Sequence, residues 1–148
     1  MKAKSHKAFT MIELIYVIVI IGILSAVAIP KFRNTSEVAH LSKAKSVLTS
    51  VVSSMATERQ KRILRGDFTH ISDLGDSTYA FRYFDNNSSC PVLDYSVKNC
   101  TGTERWCWNR DNATQYTFRE GANTDVVFTL SNSKLKCTSN CASFPEFK

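Results

Sequence analysis

The sequence predicts an α+β fold, in which one long N-terminal helix, half membrane-spanning and half amphipathic, packs on a small antiparallel β-sheet. Three observations carry this. Residues 9–29 hold 21 positions with a single charge, Glu13. Past Pro30, apolar residues recur every three or four positions up to Met55. From Tyr79 onward, short β-prone runs alternate with Asn, Ser, Gly and Asp.

The first run, coiled as a helix, is about 31 Å long at ~1.5 Å per residue, enough to cross a bilayer core. It is apolar on every side, so lying flat on a membrane surface is not its natural state. A removable signal peptide is the alternative, because Lys2, Lys4 and Lys7 precede the run. The run is longer than a usual signal core, and Ile29-Pro30-Lys31 makes a poor exit for that peptidase. Beyond it, Leu41, Ala44, Leu48, Val51, Val52 and Met55 mark one helix face, with Ser, Thr and Lys on the others. Pro30 is expected to bend the helix. Arg59, Lys61, Arg62, Arg65 and then Gly66 mark its end, since cations suit a helix C-terminus and glycine permits the cap. A DNA-binding or acid-binding cluster is the rival reading of those cations.

In the remainder, residues 79–84 read as a strand. Residues 105–109 alternate, which places Trp106 and Trp108 on one face, as core anchors rather than as an exposed tip. Residues 115–119 and 125–130 read as a hairpin across Gly121-Ala122-Asn123-Thr124, and Asn132-Ser133 turns the chain toward residues 135–138. Residues 85–91 read as a loop. Within it Asn87, with Asp85 before it and Ser89 after it, fits an acidic-extended glycosylation sequon, a pattern frequent by chance in such a chain.

The net charge of +6 falls to +3 without Lys2, Lys4 and Lys7, too weak a bias to imply nucleic acid by itself. Five cysteines, Cys90, Cys100, Cys107, Cys137 and Cys141, lie behind the apolar run, which suggests disulfides in an oxidising compartment. Two bonds among five cysteines allow 15 arrangements. Short separations favour Cys137 with Cys141, and a second bond between two of Cys90, Cys100 and Cys107. Zinc would ask for C-x₂-C knuckles or nearby histidines, and His6, His40 and His70 are distant in sequence. No metal site and no cofactor are expected. No H-E-x-x-H, G-x-S-x-G or phosphate-binding glycine loop is present, so no enzyme is expected.

Glu13 is the informative residue. A carboxylate within an apolar span costs roughly 2.5–3.5 kcal/mol on insertion scales, so it calls for a partner or a purpose. The basic leader, Lys7-Ala8, then Phe9-Thr10-Met11-Ile12-Glu13-Leu14 and an apolar run to Pro30 resemble the prepilin signature of type IV pilins and type II secretion pseudopilins. The resemblance implies peptidase cleavage between Ala8 and Phe9, with N-methylation of the new amine; Ala8 stands where the family usually has glycine. It implies assembly through Phe9 and Glu13, and a helix loosened at Gly22 and Pro30. It implies a leader over residues 1–8, a transmembrane assembly helix over 9–30, an amphipathic helix over 31–65 and a β-rich head over 66–148. The implied protein is a pilin or minor pilin, partnered by other subunits, a prepilin peptidase and the inner membrane. It would cross the membrane once, with its head in the periplasm, before joining a filament. The alternatives are a secretion pseudopilin and a DNA-uptake pilin. The tail 131–148 has Glu146 as its sole acid, which does not suit the calcium loop of the major pseudopilin.

Overall fold

The computed structural model describes residues 9–121 and 124–148, with the side chains of Arg33 and Asn34 excluded. The expected leader, with Ala8, and the Ala122-Asn123 portion of the expected hairpin turn lie outside the described residues. The chain divides into two compact units, Met1–Val38 and Ala39–Lys148. One helix, α1 (Met11–Leu64), runs through both, and Pro30 lies inside it. Proline removes one donor, the N–H that would have bonded to the Ala26 carbonyl, and the helix continues beyond it.

In the second unit the stripe Ala44, Leu48, Val51 and Met55 is buried and Leu41 packs at its edge. Val52, expected on that face, is instead exposed on the flank, because one residue turns a helix by about 100°. α1 ends where Gly66, at φ +79°, lets its own N–H reach the Ile63 carbonyl and the Asp67 N–H reach Arg62.

The stripe is covered by strands. β1 (Tyr79–Phe81) and β2 (Val97–Lys98) form a short antiparallel ribbon. β3 (Cys107–Asn112), β4 (Gln115–Arg119), β5 (Asp125–Ser131) and β6 (Lys134–Ser139) form an antiparallel meander in sequence order. β5 alternates strictly, with Val126, Phe128 and Leu130 inward, and Leu135 and Cys137 of β6 continue the same buried face. Asn132 and Ser133, both at positive φ, make the tight turn between them. Trp108 is the hub of the aromatic core, with Phe81, Phe118 and Phe128 rings at 5.1–5.3 Å. Phe144, from the C-terminal segment, is fully buried beside them, although nothing periodic in the sequence marks it.

Two expected strand limits are corrected. The strand expected over residues 79–84 stops at Phe81, because Asp85 and Asn86 adopt left-handed φ values of 50° and 58° in the turn that follows. Trp106 stands outside β3 at φ +60°, so the alternation that would pair it with Trp108 does not hold. It is half-buried and stacked on His40 at 5.4 Å, and its backbone N–H donates to the Arg119 carbonyl at 2.6 Å.

Gly75 is packed against β1: a Cβ there would lie 2.3 Å from the carbonyl oxygens of Tyr79 and Ala80. Those are backbone atoms that cannot swing aside. Gly75→Ala should therefore destabilise the head by about 2–3 kcal/mol. The check is urea unfolding of the detergent-solubilised chain followed by Trp fluorescence; an unchanged midpoint would refute the packing.

Candidate assembly segment and head network

The apolar segment begins with a helix start that the sequence spells out. Thr10 precedes Met11, and its Oγ1 accepts the Glu13 N–H at 3.3 Å, while the Leu14 N–H reaches the Thr10 carbonyl at 3.2 Å. Thr-x-x-Glu is the spacing of a capping box, a signal available in the sequence and overlooked there. Glu13 thus sits in the first turn, where the positive end of the helix dipole favours a carboxylate. Within this unit the large side chains of residues 11–32 are exposed: Ile12, Ile18 and Leu24 present 61%, 58% and 64% of their surface. An 18-residue window here has a mean hydropathy of 2.7 and no burial, so this helix is long and apolar enough to cross a membrane. Gly22 has open space around its Cα, with nothing within 4 Å of a built Cβ. Phe9 precedes the helix and is exposed.

In the head, sequence reading missed a polar network. Asp73 is 5% exposed, and its carboxylate receives the Arg110 guanidinium in two parallel bonds of 2.9 and 2.6 Å. The backbone N–H groups of Leu74 and Gly75 add 2.8 and 3.2 Å contacts, and the Tyr116 hydroxyl lies at 3.1 Å. A buried carboxylate is tolerated only when it is paired and hydrogen-bonded in this way. Burial, followed by the Asp73 charge, pushes the Tyr116 hydroxyl well above the ordinary phenol range. The bond to Asp73 raises Arg110 too, outweighing its own burial.

Asp85 ties the next loop to the helix end. Its Oδ1 accepts the Ser72 N–H, the Ser72 hydroxyl and the Asp73 N–H at 2.7, 2.8 and 3.0 Å. Its Oδ2 meets Arg62 at 2.8 Å, and Arg62 also bonds the buried Glu58 at 3.1 Å. Arg62 therefore does more than end a helix. The Ser72-Asp-Leu-Gly-Asp76 run was the available signal, since short acidic side chains beside glycine favour local backbone capture.

Of the five cysteines, Cys100 is bonded to Cys107 and Cys137 to Cys141; Cys90 is free and half-buried. The structure places all five in the second unit, and Phe9, Glu13, Gly22 and Pro30 in the first. Among the described residues, no three His, Cys, Asp or Glu side chains gather in a way that could hold a metal.

Residues 3–29 match the family described as the prokaryotic N-terminal methylation motif. A fimbrial protein of Pseudomonas aeruginosa is 40% identical over 63 residues, 43% of this chain and 38% of that protein. A fimbrial protein of Moraxella nonliquefaciens is 41% identical over 56 residues, 38% of this chain and 36% of its own length. The chain thus spans little more than a third of those fimbrial proteins. The type IV narrow pilus major component PilA5 of Thermus thermophilus is 35% identical over 88 residues, 58% of this chain and 76% of that protein. The chain belongs to the type IV pilin superfamily. No solved structure matches this pilin. The 88 matched residues exceed the apolar segment, so the likeness of this pilin to its relatives is not hydrophobicity alone.

The head of the pilin carries a pH dependence of predictable sign. Burial alone would raise Asp85, but the Ser72 hydrogen bonds and Arg62 outweigh it and hold the carboxyl below its ordinary range. A depressed carboxylate stabilises the fold above its unfolded value of about 3.9, and that contribution is lost as pH falls through the folded value. Wild-type stability should drop more steeply below about pH 4 than that of Asp85→Asn, which has already lost the charge. Thermal melts from pH 7 to pH 2.5 test this, and parallel curves would contradict it.

Proposed function

We propose that this chain is a structural subunit, a pilin or minor pilin, of a type IV pilus-like filament assembled by packing N-terminal helices. The observation that carries the reading is the 11–32 stretch of α1, exposed on all sides and apolar but for Glu13 and Lys31. A helix of this kind needs lipid or other helices as its solvent. The fimbrial relatives and the narrow pilus component support the choice of a filament. Before assembly the subunit crosses the inner membrane once, with the disulfide-bonded head in the oxidising periplasm. A prepilin peptidase cuts between Ala8 and Phe9, and the other partners are neighbouring subunits.

The mechanism rests on Glu13. After cleavage Phe9 carries an amine, and Glu13 lies four residues on, about 6 Å along a helix. An amine and a carboxylate that neutralise one another, within a helix or between staggered neighbours, remove a charge cost in an apolar medium. Packing would then satisfy a group that the lone subunit solvates poorly. The part of the helix in the head serves a separate end, which is to anchor the sheet.

Mass spectrometry of the mature protein should give an N-methylated chain beginning at Phe9; an intact Met1, or a start beyond Ile29, would overturn the processing step. Glu13→Gln and Glu13→Ala should leave the subunit inserted and its head stable, yet cut its yield in sheared filaments by tenfold or so, on the order of 1.4 kcal/mol of lost assembly energy. Membrane-extracted and sheared fractions are compared with partner subunits co-expressed. Normal assembly of Glu13→Ala would leave Glu13 an interfacial carboxylate and nothing more.

A further inference from the structure

The meander has two edges, and the fold closes one of them. Along β3 the Cys100 N–H donates to the Trp108 carbonyl and the Arg110 N–H to the Asn99 side chain, so groups on that edge are taken. β6 forms the other edge. Its register with β5 pairs Ser131 with Lys134 across the tight turn, then Leu130 with Leu135, Thr129 with Lys136 and Phe128 with Cys137. Antiparallel pairs alternate between bonded and non-bonded, and the pair that flanks a two-residue turn is bonded. Lys134 and Lys136 therefore give their backbone groups to β5, while Leu135 and Cys137 turn theirs to the open edge. The Leu130 N–H agrees with this phase, since it bonds the Thr114 carbonyl and not β6. Among the described residues, no backbone hydrogen bond joins Lys134–Ser139 to any element but β5.

A groove of about 610 Å³ lies between this edge and α1, with Val52 and Ala56, both exposed, on its far wall. Leu135 and Phe147 add to its apolar lining. Lys134 and Lys136 project from the opposite face of β6, where they are exposed and have the uncharged Ser131 and Thr129 as cross-strand neighbours. Neither lysine has an ion pair among the described residues, and neither do Arg59 and Lys148 at the groove. The acid that lines the groove, Glu146, is already 3.2 Å from the Lys45 ammonium.

We propose that β6 accepts an extended peptide as a fifth strand, and that this peptide alternates acidic with apolar residues. The N–H and C=O groups of Leu135 and Cys137 supply the pairing, and the pleat dictates the side chains. Peptide residues opposite Leu135 and Cys137 turn toward α1, where Val52 and Ala56 offer apolar surface. Residues opposite Lys134 and Lys136 turn outward, where carboxylates meet two unpaired ammonium groups. Edge lysines ordinarily keep strands apart; here they repel a second β6 edge and admit an acidic strand. All of these residues belong to the second unit, and the pairing is independent of how the apolar helices pack.

The experiment uses the detergent-solubilised full chain and a labelled synthetic peptide of about seven residues, alternating valine and glutamate. Fluorescence anisotropy should show saturable binding, and amide hydrogen exchange followed by NMR should report the pairing. In the free chain the Lys134 and Lys136 amides are the protected ones; the peptide should slow the Leu135 and Cys137 amides by about tenfold or more. Lys134→Glu with Lys136→Glu, both at exposed positions, should weaken this peptide about tenfold and take up a valine–lysine peptide instead. A helix-forming peptide of alanine and glutamate with the same charge should not bind. Equal binding of that helical peptide, or binding that leaves the Leu135 and Cys137 amides unprotected, would reduce the effect to charge and overturn the strand site. So would an absence of binding up to about 1 mM peptide. Protection of the same amides by self-association of the chain alone would also overturn it, because the occupant would then be a second copy.

Discussion

The loops of the head are organised by one buried carboxylate that has to be satisfied. Asp73 sits where an unpaired charge would cost several kcal/mol, so Arg110 of β3, Tyr116 of β4 and two backbone N–H groups must all come to it. That requirement sets where residues 71–76 cross the sheet. It also places the Asp73 N–H against Asp85, whose other oxygen reaches Arg62 near the end of α1. A chain of charge-assisted bonds thus joins helix, loop and sheet. Hydrophobic burial supplies most of the stabilisation, while this chain selects one loop path among those an apolar core would accept.

The helix lives in two physical settings. Near Leu48 and Val51 its apolar stripe is narrow and wholly covered, as an amphipathic helix of a soluble domain should be. Around Ile18 and Leu24 every face is apolar and open. The Ser and Thr residues on the other faces of the head segment tell the same story. Thr49, Ser50, Ser54 and Thr57 return their hydroxyls to carbonyls four residues back, which lets polar side chains sit on a helix without outside partners.

The two disulfides work at short range. Cys100–Cys107 closes the approach to β3, and Cys137–Cys141 joins the end of β6 to the segment that carries Phe144 into the core. Each closes a small loop, so each is worth about 2 kcal/mol in the chain-entropy account. Their value lies as much in position: the second holds the residues next to an aromatic that fills the end of the core.

The sequence by itself determined the fold class and the family. Both are written in local patterns, because an uninterrupted apolar run, a three-and-four periodicity and strand alternation report directly on what each segment must bury. The leader motif is local as well, so Phe9 to Leu14 carried the resemblance to pilins without any knowledge of the head. What the tertiary structure alone decided are pairings between distant residues. Five cysteines left fifteen arrangements open, and Asp73 looked like one loop acid among others until Arg110, 37 residues away, was brought beside it. Trp106 left its expected face because its backbone N–H answers to the Arg119 carbonyl and its ring stacks on His40. Local patterns fix what a segment needs to bury, and only chain closure in three dimensions fixes with which partner it does so.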